Sequence, residues 1–153
     1  MGSKFKPVLL IDSREQLPYS FSRFSDQFSE IRKHRLLCGD YSILGWETKI
    51  AMERKSLSDL VSTIIHNRDR FKAELYKLAQ YEHAAIVIEA SLAQVSSPYS
   101  FSEANPKSVV GSLQAFSLLY NVHVVFADNR VLAEAWIANA LIKYHAYSNP
   151  ELP

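Results

Sequence analysis

Residues 39–59 read GDYSILGWETKIAMERKSLSD, and the way this stretch folds decides how the rest of the chain is arranged. Residues 41–46 and 49–55 are strand-like runs on either side of Gly45, the pattern of a β-hairpin. The second run ends in Glu53-Arg54-Lys55. Side chains alternate faces along a strand, so Glu53 and Lys55 project together and Arg54 projects the other way. Ser56 then suits the N-cap of a helix over 56–67, in which Leu57, Leu60, Val61, Ile64 and Ile65 recur at helical spacing and Asn67 closes the end. Asp40, Glu53 and Lys55 place two carboxylates and an ammonium around one spot. That set suits a hard divalent cation, an attacking water and a phosphate whose charge the lysine steadies.

Upstream, residues 8–12 (VLLID) form a short, almost wholly apolar run, as expected of a strand buried on both faces. It stops at Asp12-Ser-Arg14-Glu15, polar residues at the strand's C-terminal end, where sites gather in open α/β sheets. Residues 17–28 are aromatic and serine-rich, with Pro18, and read as a loop. Its Tyr19, Phe21, Phe24 and Phe28 either cover the core or stack on bases. Residues 31–37 read as a strand leading into Gly39.

Downstream, a second helix is expected over 70–81 with Phe71, Leu75 and Leu78 inward, then a buried strand over 84–90 (AAIVIEA). Residues 91–104 read as a loop with one helical turn near Leu92. Asn105-Pro106 opens a helix through residue 120, proline being tolerated at the first helical position. A third buried strand follows over 122–127. Asp128 or Asn129 caps a last helix to about residue 144, with Leu132, Trp136 and Leu141 among its apolar positions. Alternating apolar strands and amphipathic helices predict an α/β domain over 8–147, a mixed central sheet with helices on both faces, flanked by tails at 1–7 and 148–153.

With 153 residues, 48% hydrophobic and 22% charged, the chain has the size and composition of one globular domain. No apolar run is long enough to span a membrane, and the N-terminal stretch lacks the cleavage site of a secretory leader. Cys38 is the sole cysteine, which rules out a disulfide framework or thiolate zinc cluster and fits a reducing, intracellular compartment. The five histidines show no metal-ligand spacing. The net charge of +1 argues against an indiscriminate coat on nucleic acid, but residues 49–77 hold seven Lys/Arg against four Asp/Glu, while 78–128 hold one lysine against four acids. Such asymmetry fits either one face for a polyanion or an ordinary solvated surface.

Each part of the constellation also has a plain structural reading. Glu-X-Lys at a strand end and Gly-Asp in a turn are both common. Ser56-X-X-Asp59 has the spacing of a capping box, so Asp59 either closes the helix end, serves the site, or does both. Arg14 and Glu15 could pair with neighbours. Yet together the motifs bring Asp12, Glu15, Asp40 and Glu53 to strand ends, and crowded acids repel unless a cation relieves them.

The order Asp12-X-Arg14-Glu15, Gly39-Asp40-Tyr41, then Glu53-Arg54-Lys55-Ser56-Leu57-Ser58-Asp59-Leu60 resembles the nuclease domain of the XPF-type structure-specific DNA endonucleases, whose hallmark is GDX(n)ERKXXXD. The resemblance continues through residues 62–68, Phe71, Glu74-Leu75 and the strand ending in Glu89. It implies a restriction-endonuclease-like fold that hydrolyses DNA phosphodiesters with Mg²⁺, for which Mn²⁺ substitutes. Asp40 and Glu53 would be metal ligands, with the Arg54 carbonyl a third, and Lys55 would orient the water or stabilise the transition state. Asp12, Arg14 and Glu15 would share the cleft and Asp59 would support it. Arg54, Arg68, Arg70 and Lys72 would contact DNA. The implied partners are branched, flap or fork DNA and a second nuclease domain, as homodimer or heterodimer, through a face such as Trp136, Ile137, Leu141 and Ile142, residues that equally suit core packing. Family members also carry a helix-hairpin-helix module, for which the four glycines here are too few, so the source of branch selectivity is open. So are two alternatives: a silent scaffold of the same fold, and a nuclease without branch preference.

Overall fold

The computed structural model describes residues 6–148, so most of the two expected tails lies outside it. Six strands form one mixed sheet in the order β2-β1-β3-β4-β5-β6: β1 (Val8–Asp12), β2 (Glu30–His34), β3 (Tyr41–Ile43), β4 (Ile50–Lys55), β5 (His83–Ile88) and β6 (His123–Phe126). β3 pairs antiparallel with both β1 and β4, and the remaining pairs are parallel. The C-terminal ends of β1, β4, β5 and β6 therefore share one edge of the sheet.

Alternation along β4 and β5 sorts the sheet into two cores. Ala51, Ala84, Ile86 and Ile88 pack under α1 (Leu57–His66), α2 (Arg68–Leu78), the single turn α3 (Leu92–Val95) and α4 (Pro106–Tyr120). Ile50, Met52, Ala85 and Val87, with Leu9, Ile11, Tyr41 and Ile43, pack under α5 (Arg130–Ser148) and the aromatic segment around the 3₁₀ turn Ser22–Gln27. Tyr19, Phe21 and Phe28 are buried there, so this segment covers the core. Among the described residues no helix is long and apolar enough to cross a membrane.

Several expected boundaries move. The strand expected over 31–37 ends at His34. α2 starts at Arg68, because Asn67 both ends α1, donating its N–H to Thr63 O, and precedes α2 directly. Asn129, through Oδ1 accepting from Leu132 N at 2.9 Å, caps α5. α5 runs to Ser148, past the expected end near residue 144. Its inward line is Ala133, Ile137, Ala138, Leu141 and His145, while Leu132 and Trp136 stand half-exposed. β6 is not buried on both faces: it is an edge strand, its side chains half-buried to exposed.

Candidate active site

Gly39 sets the geometry from which the site grows. It sits at φ +80°, and a Cβ there would lie 3.1 Å from Ala51 Cβ and 3.3 Å from Met52 O, so a larger residue would be both strained and crowded. This close turn locks Asp40 between two strands. Its N–H donates to Met52 O of β4 and its carbonyl accepts from Asp12 N, both at 2.8 Å. Asp40 Oδ2 accepts from Arg54 N at 2.8 Å, which aims the carboxylate across the end of β4.

Glu53 and Lys55 share a face there, as alternation predicts, on the side of α1 and α2. Lys55 Nζ is 3.5 Å from Glu53 Oε2, donates to Thr63 Oγ1 of α1 at 3.4 Å and stands 5.3 Å from the Phe71 ring. Neither side chain is more than 15% exposed. Arg54 points to the opposite face. Its Nε donates to Glu89 at 2.7 Å, Nη1 donates to Leu17 O at 2.6 Å, and its guanidinium lies 4.6 Å from the Tyr19 ring centre. Glu89 also accepts from the Tyr19 hydroxyl. The carbonyls of Lys49 and Lys55 accept from the amides of His83 in β5 and Glu89 just after it, and that of Met52 accepts from Asp40 N. Carbonyls alternate along a strand, so the Arg54 carbonyl points toward Asp40.

One cleft of about 540 Å³ is lined by all eight residues expected there: Asp12, Arg14, Glu15, Asp40, Glu53, Arg54, Lys55 and Asp59. Their roles separate on inspection. The Asp12 carboxylate accepts from Arg14 Nε at 3.0 Å and Leu36 N at 3.0 Å, and Arg14 Nη2 donates to Leu36 O at 2.7 Å. That pair ties the end of β1 to the loop before Gly39. Glu15 lies 3.6 Å from Arg54 and 3.5 Å from the Tyr41 hydroxyl, on the cleft rim. Asp59 does not close a capping box: its N–H donates to Ser56 Oγ at 3.3 Å, but its exposed carboxylate, which lines the cleft, accepts no bond from the Ser56 amide.

The expected DNA contacts fare differently. Arg68 Nη1 donates to Ser112 Oγ at 2.8 Å and its guanidinium sits 4.8 Å from the Phe116 ring centre, so it is committed to α4 instead of the cleft. Arg54 is likewise occupied, its side chain 11% exposed. A phosphate contact from either would require breaking those partners. Arg70 and Lys72 are exposed on α2, outside the cleft wall. Reading from sequence missed Glu89 and Tyr19 as partners of Arg54, and Thr63 and Glu74 near Lys55 and Glu53. Glu89 carried a legible signal, an acid closing an apolar strand at the same sheet edge as Asp12. Tyr19 carried none, because its contact depends on where a long loop folds back.

The electrostatics favour a cation between Asp40 and Glu53. Burial, followed by the charge of Glu15, raises Asp40 to about 7, with its bond from Arg54 N opposing. Burial, then the charge of Asp40, pushes Glu53 well above the usual carboxylate range, with Lys55 offsetting only part. Asp40 Oδ1 and Glu53 Oε1 accept from no protein donor among the described residues. No cluster of three His, Cys, Asp or Glu side chains with metal-holding geometry occurs among those residues. Two carboxylates plus one backbone carbonyl fit Mg²⁺, which keeps several waters and takes few protein ligands.

The same shifts make a stability prediction. A carboxylate whose folded pKa lies above its unfolded value favours folding less as pH rises, the loss beginning near pH 4 and completing above about 7 for Asp40. In chelator, Asp40→Asn should therefore match the parent protein in Tm near pH 4 and exceed it by several degrees at pH 8. Its neutral amide oxygen still accepts from Arg54 N. A Tm difference independent of pH would contradict an Asp40 carboxyl raised by burial and by the charge of Glu15.

No curated protein matches the sequence. Among solved structures, XPF from Aeropyrum pernix superimposes with a TM-score of 0.69 at 20% identity, covering 95% of this chain and 66% of that one. The same protein in complex with DNA superimposes with a TM-score of 0.68 at 22% identity, covering 95% and 68%. At such identities the likeness shows the fold, the restriction-endonuclease-like sheet with helices on both faces, and this chain spans about two thirds of the length of those structures. The ERCC4 domain pattern extends over residues 11–140, a span that runs from the end of β1 through most of α5 and contains every residue of the cleft. With its motifs in order along the chain and converging at one sheet edge, this protein belongs to the ERCC4 domain family.

Proposed function

We propose that this domain is a Mg²⁺-dependent DNA endonuclease, cutting one strand near a junction of single- and double-stranded DNA. The observation that carries the reading is the convergence of Asp40, Glu53 and Lys55 in one polar cleft, with both acids raised chiefly by burial, Glu53 also by the charge of Asp40 and Asp40 by that of Glu15. Mg²⁺ held by Asp40, Glu53 and the Arg54 carbonyl would acidify a bound water and neutralise charge on the phosphate. Lys55, kept in place by Glu53 and Thr63, would orient that water or meet the charge developing on the phosphate oxygens. In-line attack on phosphorus breaks the bond to the leaving oxygen, giving a 3′-hydroxyl and a 5′-phosphate. The fold's likeness to an XPF solved with DNA supports DNA as the ligand.

The deciding experiment is cleavage of a labelled panel of single strand, duplex, splayed arm, 3′ flap, 5′ flap and four-way junction, with Mg²⁺, Mn²⁺ or EDTA. Cleavage concentrated on branched members and abolished by EDTA is the expected result. Equal cleavage of all members would remove branch preference, activity in EDTA would remove the metal, and binding without cleavage would identify a silent scaffold. Arg54 and Arg68 are tied up internally, leaving Arg70 and Lys72 to meet phosphates. The log–log dependence of duplex affinity on salt should then have a slope of about −2. A slope near zero would place the DNA elsewhere.

The same reading includes a second nuclease domain as partner. The edge strand β6 is open on its outer side, and beside it Trp136, Leu132 and Tyr147 stand 51%, 49% and 83% exposed. They rim neighbouring cavities of about 810 and 690 Å³ lined by Val125, Phe126 and Ala140. An apolar face of this kind fits association. Trp136→Glu should convert a dimer to monomer in sedimentation equilibrium without loss of fold. A wild-type chain that stays monomeric at high concentration, alone and with a related nuclease domain, would overturn this.

A further inference from the structure

The loop 96–104 follows α3 at the C-terminal end of β5, the same sheet edge as the catalytic cleft. It holds two stacked rings, Tyr99 and Phe101, with centres 5.5 Å apart and planes at 24°. Tyr99 is explained by the core it packs against, and its hydroxyl donates to Val95 O at 2.6 Å, which pins the ring. Phe101 belongs to neither core and is 48% exposed. A Phe held face-on to a fixed partner, yet open to water, carries an unsatisfied apolar surface with a defined orientation.

Beside this pair is a pocket of about 380 Å³ lined by Leu57, Gln94, Ser97, Pro98, Tyr99 and Phe101, among others, with no charged side chain in its wall. Leu57 is the chain neighbour of Ser56, which lines the catalytic cleft, so the two sites adjoin across one peptide unit of about 3.8 Å. Gln94 Oε1 is occupied by Ser91 N at 2.8 Å, leaving its amide NH₂ to donate, and Ser97 Oγ donates to Ala93 O at 2.7 Å, leaving its lone pairs to accept. Flat apolar surface, neutral donors and acceptors, and absence of charge describe a surface for a nucleobase, not for a phosphate or a peptide carboxylate.

We propose that the Tyr99–Phe101 shelf stacks an unpaired nucleobase of the DNA strand leaving the catalytic cleft. This rests on the nuclease reading for its substrate class. The shelf supplies contact to the single-stranded side of a junction. Stacking tolerates any base, because every base has a π face, so it would select unpaired DNA without selecting sequence.

The test uses the full chain, in chelator so that nothing is cleaved, and a single-stranded oligonucleotide carrying 2-aminopurine, whose fluorescence falls on stacking. The parent protein should quench it on binding. Phe101→Ala should abolish the quenching and weaken affinity roughly 5- to 150-fold, while Phe101→Trp restores both. Leu44→Ala, at the opposite sheet edge where Leu44 N donates to Val8 O, should bind as the parent does. Absence of quenching by the parent, or undiminished quenching and affinity in Phe101→Ala, would overturn the shelf. Because no cleavage enters the readout, a protein that cuts DNA but fails here retains the nuclease reading alone. One that stacks the base but cuts nothing retains the shelf alone.

Discussion

Glu53→Gln should lower cleavage of the best substrate by on the order of 10³-fold or more, since acid-base positioning alone is worth about 10²–10⁴ and the same carboxylate is a proposed metal ligand. The replacement keeps the volume and hydrogen-bonding reach of the side chain while removing its charge, so the loss is not one of packing. Three parts of the structure explain why it should be so large. Glu53 is nearly buried, so its charge is felt at full strength by whatever lies between it and Asp40. It is the nearest anion to Lys55, whose ammonium it helps to place. It also has one carboxylate oxygen that no protein donor among the described residues uses. Asp40→Asn and Lys55→Ala should each fall comparably, and the Asp40→Asn/Glu53→Gln double variant should lose little beyond either single one, because residues acting as a unit are not additive. Duplex binding and the circular dichroism spectrum should be retained. Cleavage by Glu53→Gln within tenfold of the parent would mean that the cleft is not where the chemistry occurs.

How far the sequence alone reaches is visible in the two faces of β4. That Glu53 and Lys55 lie together and Arg54 apart follows from strand alternation, which needs no tertiary information. That Asp40 meets them needs one more step, the hairpin and the Gly39 turn, and both were marked by glycines at positive φ. What Arg54 does once on the other face was not legible. Its partners come from residues 17, 19 and 89, brought in by a loop and by the neighbouring strand, and no local pattern encodes that meeting. The same is true of Arg68, which the family resemblance casts as a phosphate contact but whose side chain is claimed by Ser112 and Phe116 of α4. Helix α5 shows the reverse case. Its apolar residues are spread so widely around the axis that periodicity could not say which face is inward. Only the packing against the sheet shows the buried line, Ala133, Ile137, Ala138, Leu141 and His145.

Arg54→Ala should act on stability where Glu53→Gln acts on turnover. The guanidinium joins three separate pieces of the fold: Glu89 just past the end of β5, Glu15 after β1, and the covering loop through the Leu17 carbonyl and the Tyr19 ring. Both Arg54 and Glu89 are about one-tenth exposed, so truncating the arginine leaves a nearly buried carboxylate without its main countercharge. Breaking such a pair costs about 3–5 kcal/mol, which for a chain of this length corresponds to a fall in Tm of roughly 6–20 °C. Arg130, 4.0 Å from Glu89 and also against Tyr19, softens the loss without replacing the two-pronged contact. Arg54→Lys should recover only part of it, since a single ammonium cannot reach Glu89 and the Leu17 carbonyl together. In the double variant Arg54→Met/Glu89→Gln the stranded charge is gone, and the measured coupling between the two positions should be about 0.5–3 kcal/mol. The family resemblance casts Arg54 as a DNA contact, and the two roles give opposite results. If Arg54→Ala melted with the parent but bound DNA more weakly and with a shallower salt slope, the arginine would be a DNA contact, and the brace between the covering loop and β5 would have to be sought elsewhere.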